Sequence, residues 1–363
     1  MKPVLDIVID ANVVFLVAFG FWGLTHAALS RSWLRADYAL QLRLLRAVLL
    51  VVILSPLLSF LAVTLSQSLW PKAPITVSDV AVAAYLRGEI AMPAVQFEEL
   101  LNTRNRWLDM VLSGQLPWLT ALLALLVIGS LALLVQTTRT ILHINRIVAQ
   151  SFVWRRTRST DVRLSDTVSV PFAARGLFRR HVVLPSHLLT QPHDMRIVMA
   201  HEFEHLRQGD VEWELAFEFL RPFLYWNPVF LLWKRTFGRL RELCCDRAVL
   251  QSARITPREY AQCLLTFCRR DPSGQAVARL NVAFVRTGTR SARSALEARV
   301  LALQHTHQMP RRHVLFGGLA VILSLAIVLT AASVRNPGDW SQDRLMLSTV
   351  VNLERFRAHE RGF

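Results

Sequence analysis

The chain has 363 residues, of which 53% are hydrophobic, and carries a formal net charge of +16 at pH 7; its mean hydropathy is +0.33. That length can bury a sizeable core, and the apolar excess excludes a disordered chain. No recognition motif accompanies the arginines, so the basic excess points to membrane topology and anionic lipid rather than to nucleic acid.

The apolar residues gather in runs. Four stretches, 11–29, 47–65, 116–135 and 314–334, contain no Asp, Glu, Lys or Arg, and each reaches the roughly 20 residues needed to cross a bilayer core. The first is expected to be retained rather than cleaved, because Asp6 and Asp10 stand beside a lone Lys2 and no small-residue cleavage site closes the run. Arginines crowd three places: Arg31, Arg35, Arg43 and Arg46 between the first two runs, Arg139, Arg146, Arg155, Arg156 and Arg158 after the third, and Arg311 and Arg312 before the fourth. By the positive-inside rule these face the cytoplasm, which puts both termini and the loop 66–115 outside the inner (cytoplasmic) membrane.

The expected organisation follows. Residues 1–135 are a membrane region with three spans, 136–312 a cytoplasmic domain, 313–334 the fourth span and 335–363 a short extracytoplasmic tail. Cys244, Cys245, Cys263 and Cys268 all fall in the cytoplasmic part, where free thiols are expected.

Within 136–312 the pattern changes along the chain. A strand-like stretch at 166–171 leads to Gly176, and His181-Val182-Val183-Leu184-Pro185 has the β-branched run and closing proline of a strand. No Gly or Pro interrupts 194–208, so a helix is predicted there with a stop at Gly209-Asp210. It carries His201-Glu202-Phe203-Glu204-His205, an H-E-x-x-H string. On a helix the two histidines sit roughly 40° apart, so both imidazoles reach one metal ion, and Zn²⁺ suits them. Glu202 and Glu204 lie about 80° to either side of that axis. Geometry alone leaves the base open between them, and the motif convention selects Glu202. Glu204 reads as a supporting or solvated carboxylate.

Residues 214–237 are long and apolar but broken at Asn227-Pro228, and Glu214, Glu218 and Arg221 argue against a fifth span. A core or interfacial helix pair fits better. Next comes Arg241-Glu242-Leu243-Cys244-Cys245-Asp246. Catalytic zinc usually keeps three protein ligands, and Glu242 is the best third candidate. Glu242 and Asp246 share a helix face, so one can ligate while the other orients a ligating histidine. Cys244 and Cys245 are a lesser alternative. From 256 to 303 the chain reads as helical and basic, with a flexible centre around Gly288.

These strings together resemble the M56 membrane metallopeptidases, the family of the β-lactam-sensing transducers of the BlaR/MecR type. The likeness rests on the alternating basic loops, Ser165-Asp166-Thr167-Val168-Ser169-Val170-Pro171 with Gly176, Val182-Val183-Leu184-Pro185, the H-E-x-x-H helix with Arg207 and Asp210, Trp226-Asn227-Pro228, and Glu242-x-x-Cys245-Asp246. The resemblance implies a predominantly α, four-helix transmembrane protein with an α+β gluzincin-like zinc peptidase domain between the third and fourth spans. It implies His201, His205 and Glu242 as zinc ligands, Glu202 as base and Asp246 in support. In one respect the chain departs from the transducers: residues 335–363 hold no penicillin-binding domain and the sequence contains no S-x-x-K, so β-lactam sensing by an acylated serine is not expected.

The reading is a zinc endopeptidase acting on a cytoplasmic-side protein in a regulatory pathway. A transcriptional repressor is the kind of substrate expected; the chain itself, cut at 281–285, is the alternative to that stretch packing as core and staying intact, with the lipid bilayer as partner and homodimer formation left open. The alternatives are a receptor or scaffold with a structural zinc site, and a zinc enzyme acting on lipid or another amide.

Overall fold

The computed structural model describes residues 2–32, 34–69, 77–176, 178–252, 255–270, 289–303, 313–334 and 342–360. They are mostly helical with one small sheet. Helices α1 (Lys2–Arg31), α2 (Tyr38–Leu69), α3 (Val77–Leu86), α4 (Ala94–Leu112) and α5 (Pro117–Gln150) come first. Strands β1 (Phe152–Arg156), β2 (Thr160–Ser165), β3 (Phe172–Arg175) and β4 (Arg180–Pro185) follow, then α6 (Pro192–Gln208), α7 (Asp210–Leu224), α8 (Pro228–Ser252), α9 (Pro257–Arg270), α10 (Thr289–Ala302), α11 (His313–Val334) and α12 (Gln342–Glu360).

Among the described residues, four helical segments are long and apolar enough to cross a membrane: Leu5–Arg31, Tyr38–Leu58, Pro117–Gln150 and Val314–Val334. They overlap the four charge-free runs, and the first helix begins at Lys2, ahead of Asp6 and Asp10. The second helix begins at Tyr38, ahead of Arg43 and Arg46, and the third continues through Arg139 and Arg146 to Gln150. Arginine is a good helix former, so charge ends an apolar run without ending the helix. The outward residues of α5, Leu122, Leu125, Ile128 and Leu131, are exposed, as lipid-facing positions are.

The chain divides into two compact units. The first comprises residues 1–28, 43–126 and 313–363. In it α12 packs on α3 and α4 through Val82, Phe97, Leu347 and Val351, and Tyr85 stacks on Phe97 at 4.3 Å between ring centroids. Glu354 closes the start of α4, accepting hydrogen bonds from the amides of Ala94 at 2.7 Å and Val95 at 3.3 Å. Arg104 pairs with Asp6 and with Asp10, each at 2.8 Å, and so neutralises the two carboxylates at the start of the first apolar helix.

The second unit comprises residues 29–42 and 127–312. Its sheet has the order β1-β2-β4-β3, with β2 and β4 parallel and both edge pairs antiparallel. The central strand β4 is buried on two faces, which explains its unbroken apolar run. Val182 and Leu184 join Ile197, Val198 and Leu206 of α6, Val249 of α8 and Tyr260 of α9 in the main core. Val183 faces Val148 and Ala174. The strand expected at 181–185 is present, whereas 166–171 is a loop between β2 and β3. Ser165 starts that loop by accepting the Thr167 amide on its hydroxyl at 3.3 Å, an arrangement that competes with strand pairing.

Candidate metal centre

Helix α6 forms from an uninterrupted helical run with Pro192 at its first position, where a missing N–H costs nothing. Gly209, with φ of 71°, ends it in the left-handed conformation that glycine tolerates best. The chain then turns at once into α7, so Asp210 is the first residue of the next helix.

This geometry serves the histidine pair. The Nε2 atoms of His201 and His205 stand 3.1 Å apart. Glu242 reaches them from α8, 3.6 Å from His201 Nε2 and 3.8 Å from His205 Nε2. The three residues expected as ligands therefore converge on one point, although Glu242 is 41 positions beyond His201 in sequence.

The other ring nitrogens are engaged. Asp210, fully buried, lies 2.7 Å from His205 Nδ1. Tyr260 holds His201 Nδ1 at 2.8 Å and donates its proton to Asp246 at 2.7 Å. A hydroxyl that donates to a carboxylate accepts from the ring, so both histidines carry their proton on Nδ1 and turn the Nε2 lone pair toward Glu242. Two facing lone pairs at this distance repel unless a proton or cation lies between them. Two neutral imidazoles plus a carboxylate, each fixed from behind, are a donor set that fits Zn²⁺.

Arginines set the charge of the third donor. Glu242 is contacted by Arg241 at 3.1 Å and by Arg299 at 3.2 Å. Burial works to raise the Glu242 pKa, yet Arg299, the two histidines and Arg241 hold the carboxyl well below the usual range. Burial likewise pulls against protonation of His201, but the Glu242 carboxylate beside it favours positive charge there, so its pKa is raised. Arg299 also clamps Asp246 through two hydrogen bonds of 2.7 and 2.6 Å.

The two glutamates of the motif part company. Glu202 lines a cavity of about 400 Å³ that also contains His201, His205 and Glu242. Glu204 is buried against Arg207 at 2.6 Å and Gln208 at 2.6 Å. Cys245 lies 3.1 Å from His205 Nδ1 and 3.4 Å from Asp210. With these two it forms a second possible metal group, sharing His205 with the first. Burial, and the charges of Asp210 and Glu242, push its thiol strongly up, which keeps it protonated and a poor ligand. Cys244 and Cys263 are buried and form no disulfide among the described residues.

The edge strand β3 forms one wall of the same cavity, through Phe172 to Arg175. Leu264 and Phe267 of α9 also line it. Sequence reasoning assigned no role to Asp210, Tyr260, Arg241 or Arg299. Asp210 was read as a helix stop and as part of the family likeness, without a role at the metal, and neither Tyr260 nor Arg299 belongs to a motif. The stretch 281–285, weighed as a place of self-cleavage, lies outside the described residues.

A search of curated proteins found no match to this chain. The family described as BlaR1 peptidase M56 matches residues 5–303, from the first apolar helix to the residue that follows α10. That span includes three of the four long apolar helices, the sheet, the histidine pair and every side chain found supporting it, and on this match the chain belongs to the M56 peptidase family.

Proposed function

We propose that this membrane peptidase is a zinc-dependent endopeptidase that cuts a protein on the cytoplasmic side, with His201, His205 and Glu242 holding the metal and Glu202 acting as base. The observation that carries the reading is the convergence of two Nε2 lone pairs and one ionised carboxylate in a cavity that also holds Glu202 and β3, an edge strand of the sheet among the described residues. Zinc in such a site supplies Lewis-acid polarisation of a carbonyl and lowers the pKa of water toward 7.

The remaining steps belong to the chain itself. An extended peptide adds to the edge of β3, and its main chain is held by strand-type hydrogen bonds across the cavity. Glu202 accepts a proton from the attacking water and delivers it to the leaving amine. Asp210 and Tyr260 keep the two imidazoles from rotating or changing tautomer during turnover. The cytoplasmic placement rests on the arginines that flank the apolar helices, and a regulatory protein, such as a repressor, is the substrate class this placement suits.

The test is Glu202→Gln in the full chain reconstituted in lipid. It should retain zinc and lose peptide hydrolysis by about 10²- to 10⁴-fold. Loss of metal together with activity would instead make Glu202 a structural residue. Sidedness is read separately with cysteines placed at the exposed positions Ser113 and Leu142. In intact cells only the first should react with an impermeant thiol reagent.

A further inference from the structure

Helices α7 and α8 make a hairpin that buries charged side chains among Phe217, Phe230, Trp233 and Phe237 while leaving a row of other large apolar side chains exposed. Glu218 and Arg221 are 3% and 4% exposed, whereas Phe219, Phe223 and Trp226 are 70%, 56% and 45% exposed. The interior charges are matched: Arg221 bonds Glu218 at 2.9 Å, Lys234 pairs with Glu218, and Glu214 joins Lys234 at 3.3 Å and Arg241 at 3.0 Å. Leu215, Phe219, Phe223 and Trp226 follow one another at spacings of four, four and three, so they form a single outward stripe. A continuous exposed apolar stripe of this kind marks an interaction surface.

The contacts of the hairpin with α5 identify what covers it. Arg221 donates to the side-chain oxygen of Gln136 at 2.9 Å. Tyr225 lies against Gly129, where an added Cβ would stand 2.8 Å from the ring carbon Cζ. Gly129 belongs to the charge-free run of α5 and lies seven residues, or about 10 Å, before Gln136. The hairpin therefore rises beside α5 from the last polar turn into the apolar stretch. On α8 the exposed positions run Pro228, Leu232, Arg235 and Arg239. They pass from apolar at the tip to basic one to two turns lower, as side chains do across an acyl-to-headgroup boundary.

We propose that the α7–α8 tip is inserted in the same leaflet that α5 enters, with Phe219, Phe223, Trp226 and Leu232 among acyl chains and Arg235 and Arg239 at anionic headgroups. The proposal rests on α5 being a membrane span, and it adds a re-entrant element to the four crossing helices. It also sets the cavity beside the membrane surface, because Thr137, Ile141 and Ile144 of α5 line it.

The experiment uses the wild-type chain in vesicles of phosphatidylethanolamine and phosphatidylglycerol doped with a phospholipid carrying a photoreactive diazirine in its acyl chain. Peptide mapping should find adducts both on 118–135 and on 219–232. Adducts on 118–135 alone would overturn the proposal and leave the span intact, and adducts on neither would overturn both. Spin labels at Trp226→Cys and Arg239→Cys, with the native cysteines replaced and zinc content retained, give a second reading. Oxygen should reach position 226 better than a water-soluble nickel chelate, with the reverse at 239. A label at 226 that the chelate reaches freely, or that neither reagent reaches because protein covers it, would sink the idea.

Discussion

The hydroxyl of Tyr260 stands between His201 and Asp246, 2.8 Å from the imidazole Nδ1 and 2.7 Å from the carboxylate. The direct separation of that carboxylate from Nδ1 is 3.6 Å, too long for a hydrogen bond. An aspartate on α8 thus acts on a histidine on α6 through a phenol on α9. Removing the hydroxyl frees the His201 ring and leaves its tautomer unspecified. Tyr260→Phe should weaken zinc binding by about tenfold to hundredfold, measured by competition with a chromogenic chelator. Unchanged affinity would mean that the phenol packs against the histidine without orienting it.

Glu242 and Asp246 share a face of α8 but have different work. Glu242 offers its oxygens to the point where the two Nε2 atoms meet, while Asp246 is occupied by Tyr260 and Arg299. Glu242→Ala should therefore abolish most zinc occupancy in the purified protein. Asp246→Asn, which keeps the shape, should lower affinity by about tenfold to hundredfold. Metal analysis of both variants at equal protein concentration decides the ranking. The opposite order would exchange their roles.

Acid should loosen the attachment of β3 to α7. Glu212 bonds Arg180 at 2.9 Å and also meets Arg175, the last residue of β3. Burial opposes ionisation of Glu212, but its own backbone amide and the two arginines hold its pKa below the usual value. A carboxylate with a depressed folded pKa stabilises above the unfolded value of about 4.3 and loses that contribution as pH falls through the folded one. Glu212→Gln should cost up to about 1 kcal/mol at pH 7, and the difference from wild type should shrink below about pH 4.3. Thermal unfolding of both proteins in detergent across that range checks it. A gap that is constant with pH would show that the ion pairs contribute nothing.

Parts of this molecule are written locally and parts are not. The four apolar helices announce themselves because a bilayer demands length and lack of charge in one continuous run. Strand β4 is legible because a strand buried on both faces needs consecutive β-branched residues. The histidine pair is legible because one helical turn brings positions 201 and 205 together. By contrast, β1 holds Trp154, Arg155 and Arg156 at an exposed edge, a pattern without alternation. Asp210 looked like punctuation after a helix, yet the left-handed Gly209 swings it under His205. Tyr260 and Arg299 arrive from helices whose own sequences carry no sign of a metal. Nor does anything local in α4 or α12 reveal that each is the other's packing surface.

That last pairing yields a prediction far from the metal centre. The first amides of α4 have no partner within their helix, and the Glu354 carboxylate of α12 takes two of them. A negative charge at this end also complements the helix dipole. Loss of a capping side chain costs about 1 kcal/mol, and here the cap belongs to a helix some 260 positions later in the chain. Glu354→Ala should therefore speed hydrogen exchange over the first turns of α4 by about fivefold, since 1.4 kcal/mol corresponds to tenfold. Exchange should rise in α12 as well, because Leu347 and Val351 pack on Phe97. Glu354→Gln keeps an oxygen acceptor without the charge and should fall between the two. Mass spectrometry of the exchanged chain in detergent micelles resolves both helices. An α4 that exchanges at the wild-type rate in Glu354→Ala would show that apolar packing alone holds this bundle together.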